Sequence, residues 1–144
     1  MPQRLGGHAL VEQLLECGAN RAFCVPGESY LAVLDGFYAA GEQIELVTAR
    51  QEGGAAMMAA AHGKLTGQPG LCFVTRGPGA TNASIGVHIA RQDAAPMVLF
   101  IGQVGSIEAQ RMAFQEVDYR LMFADLSKEV LQADRADQIG RAHV

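Results

Sequence analysis

The sequence predicts an α/β domain, a doubly wound parallel sheet with helices on both faces. Three observations predict it. Short runs such as Leu71-Cys72-Phe73-Val74-Thr75 and Met97-Val98-Leu99-Phe100-Ile101 are almost wholly apolar, as strands buried on both faces are. Helix-length segments separate these runs, as crossover connections between parallel strands require. Three strand ends carry glycine or a carboxylate, at Pro26-Gly27-Glu28, Arg50-Gln51-Glu52-Gly53-Gly54 and Arg76-Gly77-Pro78-Gly79. In such sheets ligands bind beyond the carboxyl ends of the strands, so all three turns fall on one functional edge.

The elements follow in order. His8 to Gly18 is an amphipathic helix, with Leu10, Val11, Leu14 and Leu15 at helical spacing and Gly18 as its stop. Ala22 to Val25 is a buried strand ended by Pro26-Gly27. Leu31 to Ala40 is a second helix with Leu31, Leu34, Phe37 and Tyr38 on its apolar stripe. Glu45 to Thr48 is the second strand and Gly53 to Thr66 the third helix, closed by Gly67-Gln68-Pro69-Gly70. The small residues of that helix predict close packing of another helix, a feature that also suits a subunit interface, with Met57-Met58 as core filler. After the Leu71–Thr75 strand, the turn leads into a helix from Ala80 to Arg91, and Met97 to Ile101 is the fourth strand. Beyond Gly102 a polar loop precedes a short helix at Tyr119 to Leu126, a fifth strand at Glu129-Val130-Leu131, and a last helix from Asp134 to Val144.

The 144 residues fit a single domain, 1–144, and carry a net charge of −4 without a Lys/Arg cluster, which argues against a nucleic-acid partner. No apolar stretch reaches the ~18 residues of a membrane-spanning helix, and the first residues lack the apolar core of a secretion signal. Cys17, Cys24 and Cys72 form no C-x-x-C pair and are odd in number. They predict small core side chains in a reducing compartment, and the cytoplasm is the expected location.

Several chemistries fail on spacing. Gly77-Pro78-Gly79-Ala80-Thr81-Asn82 opens a helix with glycines, but Asn82 replaces the third glycine of a dinucleotide fingerprint. Gly63-Lys64 lacks the glycine of a P-loop at position 58 and is followed by Leu65. His8, His62, His88 and His143 stand at no ligand spacing, so no metal site is predicted. Ser84 falls inside a helix, not at a nucleophile elbow.

Glu52 is the informative residue. It stands where a strand gives way to a glycine-opened helix, so a flat ligand could approach the backbone beside a carboxylate that the helix macrodipole favours as an anion. A second reading makes it an ordinary acidic residue of a first helical turn.

The motifs Phe23-Cys24-Val25-Pro26-Gly27-Glu28, Thr48-Ala49-Arg50-Gln51-Glu52-Gly53-Gly54-Ala55-Ala56 and Gly77-Pro78-Gly79-Ala80-Thr81-Asn82 together resemble the pyrimidine-binding domain of thiamine diphosphate enzymes. The acetolactate synthase-like branch is the nearest group. Pro96 to Gln103 and Ala113-Phe114-Gln115-Glu116-Val117-Asp118 extend the resemblance, which runs over about residues 5–139. It implies the thiamine diphosphate-binding fold and a catalytic role for Glu52. In the family the matching glutamate hydrogen-bonds a ring nitrogen of the aminopyrimidine, favouring the imino tautomer that takes the proton from the thiazolium carbon. By the same resemblance Pro26 and Gly27 border the cofactor, and Thr75, Pro78, Gly79 and Asn82 line its pyrimidine pocket. Phe114 and Gln115 match a segment on the substrate side. Plainer roles stay open beside these: a fold-required turn for Pro78 and Gly79, a helix cap for Asn82, a loop anchor for Phe114 and Gln115.

The resemblance further implies Mg2+ and the diphosphate on a separate domain marked by Gly-Asp-Gly, a motif that does not occur in the sequence. A flavin (FAD) is a further cofactor it allows. It predicts a homodimer whose active site forms against the diphosphate-binding domain of a partner subunit, with a 2-oxo acid as substrate. The chain is then a C-terminally truncated piece, its last strand missing and without turnover by itself. The alternative is a non-catalytic assembly or regulatory module that retains the fold.

Overall fold

The computed structural model describes residues 5–139. Four strands, β1 (Arg21–Cys24), β2 (Glu45–Thr48), β3 (Gly70–Val74) and β4 (Met97–Ile101), form one sheet in the order β2-β1-β3-β4. Every pairing is parallel, with Phe23 opposite Cys72, Cys24 opposite Thr48 and Val74 opposite Ile101. The helices are α1 (Gly6–Glu16), α2 (Leu31–Ala40), α3 (Glu52–Thr66), α4 (Pro78–Gln92) and the short α5 (Tyr119–Met122).

The period-2 alternation of the strands divides the core between the two faces. Ala22, Cys24, Leu71 and Phe73 turn to the face covered by α1 and α2, where Val11 and Phe37 are buried. Phe23, Cys72 and Val74 turn to the opposite face, against Ala55, Ala56 and Ala59 of α3 and Ala80, Ala83 and Val87 of α4. Phe73 anchors the first layer, stacked on Phe100 at 4.4 Å between ring centroids and meeting Phe37 edge-on at 5.1 Å. Such ring pairs contribute about 0.5–1.5 kcal/mol beyond their buried area.

Helix ends follow their sequence signals. The Gln51 side chain caps α3 by accepting from the Gly54 amide at 2.9 Å, Gly67 ends that helix in a left-handed conformation, and Pro78 opens α4. Glu52 is thus the first residue of α3.

The structure corrects six expectations. Of the expected α2 stripe only Leu34 and Phe37 pack on the core, while Leu31 and Tyr38 point outward, 62% and 87% exposed. Glu129-Val130-Leu131 pairs with no strand: three residues offer too few ladder bonds to offset ordering the backbone, although Val130 still packs on the core. The helix expected from Asp134 is a single 3-10 turn at Ala136–Gln138, and residues 140–144 lie outside the described residues. The Tyr119 helix stops at Met122. Met57 and Met58 are not core filler, because alanines supply the buried face of α3 and both methionines sit outward, 41% and 36% exposed. Cys17 is likewise exposed, while Cys24 and Cys72 are buried. No helix among the described residues is long and apolar enough to cross a membrane.

Candidate functional site

The strand order fixes where a ligand crevice opens. From β1 the chain moves outward to β2, then crosses back to β3 and on to β4, so the turns after β1 and β3 lead away from each other. Their divergence marks the topological switch point.

The two turns are tied together there. A Cβ on Gly27 would fall 2.5 Å from Thr75 Cβ, so only glycine allows the β1 turn to lie this close to the β3 turn. The Ser29 and Thr75 hydroxyls stand 2.8 Å apart, and the Arg76 amide donates to Ser29 Oγ at 3.2 Å. Below the turn, the Tyr30 hydroxyl donates to the Val25 carbonyl at 2.5 Å. Burial pushes that phenol above its usual range, with Cys24 the next cause. Gly77 holds φ +60°, and its amide donates to the Tyr119 hydroxyl at 2.8 Å.

Glu52 reaches this edge from α3. Its carboxylate is partly buried, and Oε2 accepts from Asn82 Nδ2 of α4 at 3.0 Å. A Cβ on Gly79 would stand 3.5 Å from Glu52 Oε1 and 2.8 Å from Thr75 Cγ2. The structure therefore brings Gly27, Thr75, Gly79, Asn82 and Glu52 together. Pro26 and Pro78 lie exposed on the same turns. The cluster offers a carboxylate, an amide and a hydroxyl beside two stretches of backbone bare of side chains, which suits a flat polar ring.

Phe114 and Gln115 stand on the far side of the β3 turn. The Phe114 carbonyl accepts from Arg76 Nε at 3.0 Å while its ring is 73% exposed, and Gln115 packs so closely on Gly77 that a Cβ there would meet Gln115 Cβ at 2.7 Å. Beside them opens a cavity of about 700 Å³ lined by Arg76, Val104, Ile107, Glu108, Arg111 and Phe114. Glu28, Ser29, Arg76 and Tyr119 hold this arrangement; Glu28 and Arg76 stand within motifs that assign them no role, and Ser29 and Tyr119 lie outside the motifs. The opposite charges of Glu28 and Arg76, on turns after strands that both pair in parallel, are the one signal in the sequence that joins two of them. Among the described residues no group of three or more His, Cys, Asp or Glu side chains is placed to hold a metal ion.

The family model described as "Thiamine pyrophosphate enzyme, N-terminal TPP binding domain" matches residues 4–122. The chain is 36% identical to the acetolactate synthase large subunit of Corynebacterium glutamicum over 98% of its own length and 22% of that protein. It is 35% identical to pyruvate oxidase of Lactiplantibacillus plantarum over 85% of its length, and 40% identical to acetolactate synthase isozyme 2 large subunit of Escherichia coli over 78%, in each case 20% of the relative. The chain thus spans about a fifth of the curated relatives it matches. On these matches, the chain belongs to the thiamine pyrophosphate enzyme family, as an N-terminal TPP binding domain.

Proposed function

We propose that this chain binds the aminopyrimidine of thiamine diphosphate and serves an enzyme that joins or decarboxylates 2-oxo acids, of the acetolactate synthase kind. The observation that carries the reading is the Glu52 carboxylate at the start of α3, held by Asn82 beside the Gly79 backbone. The residues fit the ring: Gly27 and Gly79 pack against Thr75 so closely that a Cβ on either would clash, which draws the two turns together, and Glu52, Asn82 and Thr75 supply acceptor, donor and hydroxyl.

When bound, thiamine diphosphate supplies a thiazolium carbon suited to carbanion chemistry on a 2-oxo acid. The role of the chain is orientation and fixed charge. Glu52 accepts a hydrogen bond from a ring nitrogen and holds the shared proton, a contact general acid–base catalysis values at about 10²–10⁴-fold. Asn82 aims the carboxylate, Pro26 and Gly27 border the ring, and Thr75, Pro78 and Gly79 line its pocket. Phe114 and Gln115 lie towards the substrate, a placement that leans to carboligation over aldehyde release.

The reading extends to the assembly. Mg2+ and the diphosphate belong to another domain, FAD is compatible as a second cofactor, and the active form is a homodimer. The buried, unbridged thiols of Cys24 and Cys72 support a reducing compartment, the cytoplasm.

The test is Glu52→Gln in the complete enzyme containing this chain. Turnover of a 2-oxo acid with thiamine diphosphate and Mg2+ should fall by about 10²-fold or more, with the thermal unfolding midpoint unchanged. Equal turnover in the variant removes Glu52 from the chemistry and leaves the non-catalytic module as the better reading.

A further inference from the structure

We propose that Arg76 is a positioning residue that clamps the segment carrying Phe114 and Gln115 at the mouth of the site. The guanidinium is folded inward, its side chain 14% exposed, and it serves two partners at once. Nη2 donates to Glu28 Oε1 on the β1 turn at 2.6 Å, and Nε donates to the Phe114 carbonyl at 3.0 Å. One rigid fork thus joins the β1 turn, the β3 turn and the segment before α5. An ammonium on a flexible stem offers no such pair of fixed, divergent donors.

The segment needs a clamp. Gln110, Met112 and Gln115 hold positive φ of 64°, 55° and 62°, a region that side chains with a Cβ disfavour. Within the segment, Glu116 ties down the Gln110 and Ala113 amides at 2.5 and 3.0 Å. Those bonds set its internal shape and leave its position on the domain to other contacts. Arg76 supplies a directed, charge-assisted bond at its tip, while Gln115 rests on Gly77. Arg76 and Phe114 both line the cavity of about 700 Å³, so moving the segment reshapes that cavity. The substrate-side part of the inference rests on the thiamine diphosphate reading; the clamp itself does not.

The test compares Arg76→Ala, Arg76→Lys and Glu28→Gln in the complete enzyme, by amide hydrogen exchange and by steady-state kinetics. Arg76→Ala should speed exchange across residues 105–117 by about tenfold, as expected for losing a charge-assisted bond from a locally opening segment. Lys should restore the unfolding midpoint by pairing with Glu28, yet leave the segment loose. Glu28→Gln, a change at an exposed side chain, should loosen it less than Arg76→Ala. In kinetics, Arg76→Ala should raise KM for the 2-oxo acid by about tenfold, with kcat and thiamine diphosphate affinity within about twofold. The proposal is overturned by unchanged exchange in Arg76→Ala, by full rescue of exchange in Lys, or by a loosened segment with unaltered KM. The exchange readout needs no cofactor. An inert Glu52→Gln beside a loosened Arg76→Ala therefore sinks the cofactor reading and leaves the clamp standing.

Discussion

Asn82 Nδ2 donates to Glu52 Oε2 across 3.0 Å, linking the start of α3 to the second turn of α4. The residues are 30 positions apart, and the alanine-lined packing of the two helices on one sheet face brings them together. Asn82 is exposed and Glu52 only partly buried, so the bond contributes little to folding. Asn82→Ala should lower the unfolding free energy by about 0.5–1.5 kcal/mol. Glu52→Gln should cost less, because the glutamine carbonyl still accepts. Urea unfolding of both single variants and the double variant checks this, and a coupling well above about 1.5 kcal/mol would contradict so modest a bond.

Gly27 and Gly79 both press on Thr75, but with a different nearest atom. A Cβ on Gly79 would stand 2.8 Å from the Cγ2 methyl, whereas one on Gly27 would stand 2.5 Å from Cβ, 2.9 Å from Oγ1 and 3.3 Å from Cγ2. Each alanine substitution should cost about 1–3 kcal/mol by overpacking. Thr75→Ser removes only the methyl and keeps the hydroxyl bonded to Ser29. It should recover more of the loss in Gly79→Ala than in Gly27→Ala, read by unfolding midpoints. Equal rescue of both would show that the two turns meet differently.

The four strands and four main helices were legible because each rests on a local signal: an apolar run, a capping glycine, a turn dipeptide. For the residues grouped around Glu52 the sequence offered a strand-to-helix junction at Glu52 itself, and the others came from the family resemblance. The contacts that join the turns were not. Ser29 to Thr75, Arg76 to Phe114 and Gly77 to Tyr119 span 38 to 46 positions and depend on how parallel strands align their ends. The region after β4 was the least legible. Glu129-Val130-Leu131 carries strand-forming residues but too few to pair, and the positive φ at Gln110, Met112 and Gln115 has no glycine to announce it. Met57-Met58 misled because alanines, weak in hydrophobic contrast, form the buried face of α3.

Alkaline stability should report on Cys72. Burial pushes its thiol up to about 12, with Cys24 and Glu52 adding to the rise, and burial also raises Cys24. A folded-state pKa above the unfolded one gives stability that is complete below about pH 9 and is lost as pH rises towards the folded value. The unfolding midpoint should therefore fall between pH 9 and about 12. Cys72→Ala should flatten part of that decline, with the remainder due to Cys24 and Tyr30. Circular dichroism melts at pH 8, 10 and 11 check it, and an identical decline in the variant would assign the effect elsewhere.

At the acid end the same linkage runs with opposite sign, through Glu116. Its carboxylate accepts from the Gln110 amide and then the Ala113 amide, and these bonds hold it below its ordinary value of 4.5. A depressed folded pKa contributes order that is present above the unfolded value and lost as pH falls through the folded one. Asp118 next to it is lowered too, chiefly by the Arg120 side chain, so both loosen in the same direction. The amide resonances of Gln110 and Ala113 should stay fixed from pH 7 to about 4.5 and move only below it. Glu116→Gln offers one acceptor oxygen for two amides, so at pH 7 one of those resonances should already sit at its acid position and neither should titrate. Were both amides to titrate at or above the ordinary carboxylate value, the two bonds would not be forming, and the positive-φ segment would lack its internal support.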